Sequence, residues 1–146
     1  MLDAMDTPLA LVVCSMFIGL ALWHFWMAML PTKGESGAVP SVNGKPLFTP
    51  SRKSTVAVGI VLLLFAGLVA ATAGIVSVGL PAVALVWLSY ALAAGLLARA
   101  VGEFKYLGFF KRVRGSRFAK LDSLVYSPLC LLLAIGVALI ARQNGA

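Results

Sequence analysis

The chain has 146 residues, of which 61% are hydrophobic and only 12% are charged, and its formal net charge is +7. Soluble domains average about 45–50% apolar and about 25% charged residues, so this composition excludes most of them. Intrinsic disorder requires low hydrophobicity and is excluded as well. We therefore expect an integral membrane protein.

Four apolar segments are long enough to cross a hydrocarbon core, which is about 30 Å thick and takes roughly 20 helical residues. Because lipid offers the backbone no hydrogen bonds, each segment is predicted to be a helix. The predicted helices comprise residues 8–30, 54–77, 82–101 and 124–141. They are predicted to form a single all-α transmembrane domain over residues 1–146. A tight turn near residues 78–81 predicts that the second and third helices form an antiparallel hairpin.

The basic residues are concentrated in or beside the two longer connections, residues 31–53 and 102–123. Of the 12 Lys and Arg residues, only Arg142 lies elsewhere. Cytoplasmic loops collect Lys and Arg, so both connections are predicted to be cytoplasmic and both termini to be outside. The first segment lacks the features of a cleaved signal peptide and is expected to be a retained helix. The predicted location is the bacterial inner membrane.

The first connection contains four prolines and an Asn43-Gly44 pair that is typical of a turn. These residues exclude a long helix. Residues 44–51 are compatible with an ordered strap that returns the chain to the membrane. They are equally compatible with a solvated loop, and the sequence leaves both alternatives open.

The second connection interleaves aromatic and basic residues. Its aromatic residues are Phe104, Tyr106, Phe109, Phe110 and Phe118. Aromatic rings favour the headgroup level of a bilayer, and each nearby cation gains about 1 kcal/mol from an anionic leaflet. We therefore predict an interfacial segment whose headgroup contacts are Lys105, Lys111, Arg112, Arg114, Arg117 and Lys120. Nucleic acid is not an expected partner, because membrane helices hold both ends of this segment.

A polar cluster is predicted where helices one, three and four reach the cytoplasmic side. Its members are His24, Arg99, Glu103, Asp122 and Tyr126. Ionisable groups within or close to a bilayer are candidate sites by default, and His24, Glu103 or Asp122 could serve as an acid or a base. Alternatively, these groups pair with one another and tie the helices together. We favour pairing, because a charge buried near a helix end needs a partner whether or not a substrate binds.

Metal and cofactor sites are not expected. The sequence contains one histidine, and His24 with Met27 would at most attract a soft metal such as Cu(I). Cys14 and Cys130 differ in predicted depth by roughly 15 Å, which is too far for a disulfide. The predicted helix centres contain no Asp, Glu, Lys or Arg, which argues against a proton-coupled exporter.

Several segments resemble a known family. The run RAVGEFKYLGFFKR at residues 99–112, followed by FAKLD at 118–122 and YSPLC at 126–130, resembles the signature of a bacterial membrane family known as domain of unknown function 3995. The segments HFW at residues 24–26 and PLFTP at 46–50 resemble it too. The resemblance implies a small integral membrane protein with four helices and no assigned reaction.

These features favour a non-catalytic accessory or lipid-interacting membrane protein. Its expected partners are membrane lipids with anionic headgroups, and a further membrane subunit is also compatible with the small-residue faces of the helices. Two alternatives stay open. One is a small transporter or channel with a path past His24, and the other is an enzyme acting on a lipid or isoprenoid at the cytoplasmic interface.

Overall fold

The computed structural model describes residues 6–30, 39–42, 45–102, 105–112 and 115–145. It contains four helices that are long and apolar enough to cross a membrane, which confirms the predicted class. Three of them are α1 (Asp6–Met29), α2 (Arg52–Thr72) and α3 (Ala82–Val101). The fourth runs from Arg117 to Asn144. It consists of α4 (Arg117–Leu121), a π-helical turn (Asp122–Tyr126) and α5 (Ser127–Asn144).

The first connection contains two short paired strands. Strand β1 (Ser41–Val42) pairs antiparallel with β2 (Lys45–Pro46), and the Leu47 amide donates a 2.9 Å hydrogen bond to the Pro40 carbonyl. The predicted Asn43-Gly44 turn lies outside the described residues. The paired strands support the ordered alternative for this part of the connection.

Helix α2 ends at Thr72 rather than at residue 77, where hydropathy placed its end. Gly74 adopts a left-handed backbone with φ of +69°, and the Ile75 amide donates back to the Ala70 carbonyl at 2.9 Å. These features close the last helical turn, as glycine commonly does. At the other end, the Ser51 hydroxyl caps α2 by accepting a hydrogen bond from the Ser54 amide.

The helices pack mainly as two pairs, α1 with α2 and α3 with α5. In the first pair the fully buried Phe17 ring meets Phe65 edge-on, with ring centroids 5.9 Å apart. The Cys14 thiol donates to the Ala66 carbonyl at 3.4 Å. The second pair contributes Leu92, Leu133 and further side chains to the same buried cluster, so the two pairs share one core.

Helices α2 and α3 contact each other less than the predicted antiparallel hairpin implies. The connection between them comprises residues 73–81 and is long enough to let the helices separate. A buried polar contact nevertheless joins them, because the Thr72 and Ser89 hydroxyl oxygens lie 2.8 Å apart. Thr72 also donates within α2 to the Leu68 carbonyl at 2.9 Å.

One glycine of α2 permits close approach of α1. A Cβ atom added at Gly59 would lie 2.5 Å from the Phe25 ring, whereas one added at Gly67 would meet nothing within 4 Å. Gly59 therefore has a packing role that Gly67 does not share.

Alanine at Gly59 is expected to lower the free energy of unfolding by about 1–3 kcal/mol relative to alanine at Gly67, because the new methyl group overlaps the Phe25 ring. Both glycines lie in α2, so replacement by alanine raises the helix propensity by a similar amount in the two variants. The measurement is a denaturant titration of each purified variant in mixed micelles. Equal stability of the two variants would show that the ring moves aside without cost.

Candidate functional site

We call one end of the bundle the basic end. There α1 and α3 end, α2 and α4 begin, and both longer connections lie. Its exposed cationic side chains in the described part of the chain are Lys45, Arg52, Lys53, Lys105, Arg112, Arg117 and Lys120.

The π-helical turn at the basic end coincides with a proline. The Ser127 amide donates to the Asp122 carbonyl, five residues back, instead of to the residue four back. Pro128 has no amide hydrogen, and its ring would crowd the carbonyl of residue 124 in a regular α-helix. The wider turn relieves this conflict, and π turns of this kind are frequent at functional sites. Asp122, the first residue of the turn, is fully buried.

Asp122 accepts hydrogen bonds from three donors. Its Oδ1 accepts from Arg99 Nη2 at 2.9 Å, and its Oδ2 accepts from the Gly108 amide at 2.7 Å and from Lys111 Nζ at 3.0 Å. The side chains of Arg99 and Lys111 are 33% and 1% exposed. A buried carboxylate is tolerated only when it is paired and hydrogen-bonded, and both conditions hold. We call Asp122, Arg99, Gly108 and Lys111 the Asp122 network.

The Lys111 ammonium donates hydrogen bonds to three acceptors. Besides Asp122, its ammonium donates to the Gly108 carbonyl at 3.0 Å and to the Ser123 hydroxyl at 2.6 Å. A lysine ammonium has three hydrogens, and these three acceptors match them. The sequence led us to expect Lys111 among the headgroup contacts. The structure instead places it inside the protein, because Asp122 offers a buried counter-charge.

The loop that carries Lys111 is closed by two glycines, Gly102 and Gly108. Gly102 and Gly108 both have φ of +84°. A Cβ atom at Gly108 would collide with the Val101 carbonyl, and one at Gly102 with the Leu107 carbonyl. The Phe109 amide then donates to the Ala100 carbonyl at 3.0 Å, near the end of α3. The chain leaving α3 therefore returns onto its own last turn and presents the Gly108 amide to Asp122.

The predicted polar cluster is brought together only in part. Arg99 and Asp122 meet, whereas the His24 Nδ1 atom lies 2.7 Å from the Leu20 carbonyl of its own helix. Since a carbonyl only accepts, this nitrogen carries the hydrogen. The Tyr126 ring packs against Phe118, with centroids 6.0 Å apart. Glu103 of the cluster lies outside the described residues, as does Arg114 of the predicted headgroup contacts.

Sequence reasoning missed Gly108 and Lys111 as partners of Asp122. One signal was available, because Asp122 is the last acidic residue of the chain and follows a strongly basic segment. A single buried acid among many cations attracts more than one of them. No sequence pattern indicated the Gly108 amide as a donor to Asp122, because the direction of its N–H depends on the backbone conformation of the loop.

Two buried polar atoms have no hydrogen-bond partner in the described part of the chain. They are Arg99 Nη1 and Ser127 Oγ. Leaving such an atom unpaired costs about 1–3 kcal/mol, so these are positions where water or a small polar ligand would be favoured. Among the described residues no group of three His, Cys, Asp or Glu side chains could hold a metal ion.

Four membrane-length helices, with an acid buried among two cations at one end, define a multi-pass α-helical membrane protein. The chain belongs to the family described as Protein of unknown function (DUF3995), whose model matches residues 17–137. This match confirms the resemblance noted from the sequence and includes the whole Asp122 network. No match was found among curated proteins or among solved structures.

Replacing Asp122 with asparagine is expected to lower the free energy of unfolding by about 3–5 kcal/mol, because it removes the buried negative charge that pairs with both Arg99 and Lys111. The measurement is a denaturant titration in mixed micelles, combined with hydrogen exchange of residues 105–112. Exchange at the Gly108 amide should accelerate as its acceptor weakens. Lys120→Gln, at an exposed position of the same end, is the control and should change stability by less than about 0.5 kcal/mol. An Asp122→Asn variant as stable as this control would contradict the role of the network.

Alanine at Gly108 is expected to destabilise the loop strongly, whereas alanine at Gly115 should cost only the strain of a left-handed backbone. Both glycines have positive φ, but only Gly108 lies against another segment, and Gly115 has nothing within 4 Å of the added atom. Limited proteolysis of the second connection compares the two variants. Equal cleavage rates would show that the contact between Gly102 and Gly108 does not hold the loop.

Proposed function

We propose that the protein is a non-catalytic membrane protein that binds anionic lipid headgroups at its basic end. The observation that carries this proposal is the division of polar groups there. Asp122 pairs with the buried Lys111 and the partly exposed Arg99 in the Asp122 network, while a second set of cations is exposed beside exposed aromatic rings.

The exposed set lies on the loop that the Asp122 network holds and on the helix that follows. Phe109 and Phe110 are 37% and 63% exposed. Exposed cations flank them, namely Lys105, Arg112, Arg117 and Lys120. Phenyl rings and cations together favour the headgroup level of an anionic leaflet, where each cation contributes about 1 kcal/mol.

The exposed side chains that follow the loop also support a position of the loop at the headgroup level. Leu124, in the π-helical turn four positions after the exposed Lys120, is 77% exposed and apolar, and α5 is apolar from Pro128 until its last turn. A side chain of this kind is stable where it meets lipid tails. The change from exposed cations to exposed aliphatic side chains therefore supports a headgroup position for the loop.

The bonding within the cluster favours a structural role for Asp122 over acid–base catalysis. Both carboxylate oxygens already accept hydrogen bonds from protein donors. A catalytic acid or base must reach a substrate, which these bonds oppose.

We further propose that the protein lies in the bacterial inner membrane with its basic end in the cytoplasm. The support is the distribution of charge, since residues 54–98 contain no Asp, Glu, Lys or Arg and the flanking connections contain most of the cations. The positive-inside tendency of short loops links this pattern to the cytoplasmic side.

Reconstituted protein is expected to select anionic lipid. In phosphatidylcholine bilayers with a trace of spin-labelled lipid, labelled phosphatidylglycerol should be immobilised severalfold more than labelled phosphatidylcholine. Replacing Arg112, Arg117 and Lys120 together with glutamine should remove most of this selectivity, and high salt should reduce it, because the attraction is Coulombic.

The matched control replaces Arg112 and Arg117 with lysine, which keeps the charge and should keep the selectivity. Unchanged selectivity in the glutamine variant would contradict headgroup binding by the loop. For orientation, a cysteine placed at Ser116 should react with an impermeant maleimide only from the cytoplasmic side. Reaction from outside intact cells would overturn the proposed direction.

A further inference from the structure

A cavity of about 430 Å³ opens at the end of the bundle opposite the basic end. It lies between the first turns of α3 and the last turn of α5. Its walls combine apolar side chains, namely Val83, Val86 and Trp87, with polar ones, namely Tyr90, Arg142 and Asn144. Ligand sites typically have this size and composition, about 300–1,000 Å³ of mainly apolar wall with a few polar groups.

Arg142 supplies a positive charge to this cavity. It is the one Lys or Arg residue of the sequence outside the longer connections and their flanks. Its exposed guanidinium forms no ion pair or hydrogen bond with any side chain in the described ranges. Neither α3 nor the connection before it contains an acidic residue. An anion in the cavity would therefore meet a cation that these elements leave uncompensated.

The apolar wall faces the surroundings. Val83 and Trp87 are each 69% exposed, and the Trp87 ring meets Tyr90 edge-on with centroids 6.0 Å apart. Leu80, two residues before the start of α3, is also exposed. Exposed aliphatic and indole groups at a helix end are typical of the boundary between lipid tails and headgroups. The cavity mouth thus lies where an amphiphile would enter.

The polar wall offers both charge and neutral hydrogen bonds. The Tyr90 hydroxyl has no hydrogen bond within the described part of the chain. The Asn144 amide nitrogen donates to the Ile140 carbonyl at 2.9 Å, which leaves its amide oxygen as an acceptor. A headgroup with hydroxyl groups beside its phosphate would match these two side chains and Arg142 together.

We infer that this cavity binds an anionic amphiphile of the leaflet opposite the basic end. Its phosphate pairs with Arg142, its headgroup hydroxyls meet Tyr90 and Asn144, and its apolar part covers Val83 and Trp87. Phosphatidylglycerol has this chemistry. The site is separate from the loop at the basic end, so the inference does not rest on the proposed function.

The test uses Trp87 as a reporter. Replacing Trp23 and Trp26 with phenylalanine leaves Trp87 as the single tryptophan, and both replaced side chains are about half exposed, so the fold should tolerate the change. Dihexanoyl phosphatidylglycerol is titrated into the detergent-solubilised protein. We expect a saturable change in Trp87 emission. Arg142→Gln should weaken the apparent affinity by about tenfold or more, because a charge-assisted hydrogen bond is lost.

Three controls make the result specific. Arg142→Lys keeps the charge and should retain most of the affinity, whereas Arg112→Gln at the basic end should leave the titration unchanged. Dihexanoyl phosphatidylcholine reports binding without net charge, and inorganic phosphate reports binding without an apolar part. Both should bind clearly more weakly than the anionic lipid.

The inference is overturned if Trp87 shows no saturable response or if Arg142→Gln binds as tightly as the parent. Equal binding of phosphatidylcholine would show that charge is not recognised. Equal binding of inorganic phosphate would identify a free-anion site instead of an amphiphile site. Native mass spectrometry of the unmodified chain, with and without Arg142→Gln, repeats the comparison without the tryptophan replacements and must show the same loss of bound lipid.

Discussion

The buried carboxylate of Asp122 is the group on which the basic end depends. A charge removed from water is stable only when the protein supplies compensating donors. These donors come from separate segments: Arg99 from the last turn of α3, Gly108 and Lys111 from the connection. Satisfying one carboxylate therefore ties α3, the connection and the fourth membrane helix together. The other described cations of the connection, Lys105, Arg112, Arg117 and Lys120, lie on the surface.

The helices were predictable because length and hydropathy report directly on membrane crossing. Helix pairing was not, because the lipid is as apolar as the helix surface and a hydropathy pattern does not identify neighbours. The end of α2 was misplaced for a related reason, since the left-handed backbone at Gly74 stops the helix within an apolar run. At the site, proximity to one membrane face predicted Arg99 with Asp122. Lys111 and Gly108 required the path of the loop, which composition does not contain.

Helices α3 and α5 connect the two ends of the molecule. Helix α3 contributes Arg99 to the Asp122 network and Trp87 to the cavity opposite, and α5 ends at that cavity with Arg142. These two helices form one of the two main helix pairs of the bundle. A lipid bound at either end would therefore contact the same packed pair, although the two ends carry different chemistry. The basic end is rich in exposed cations, whereas Arg142 is the one Lys or Arg among the residues described at the opposite end, where it lies beside both apolar and polar side chains.

The π-helical turn also determines which side of the fourth membrane helix faces the core before it and after it. A residue of α-helix rotates the chain by about 100°, so one extra residue in a turn changes which side all earlier residues face. Phe118 and Asp122 are buried before or at the turn, and Leu133 and Ile140 are buried after it. Removing one residue from the turn would bring the Pro128 ring back against a carbonyl of the preceding turn and would also rotate one buried set outward. The segment is thus fixed in length as well as in composition, and a one-residue deletion there would be more disruptive than most single substitutions.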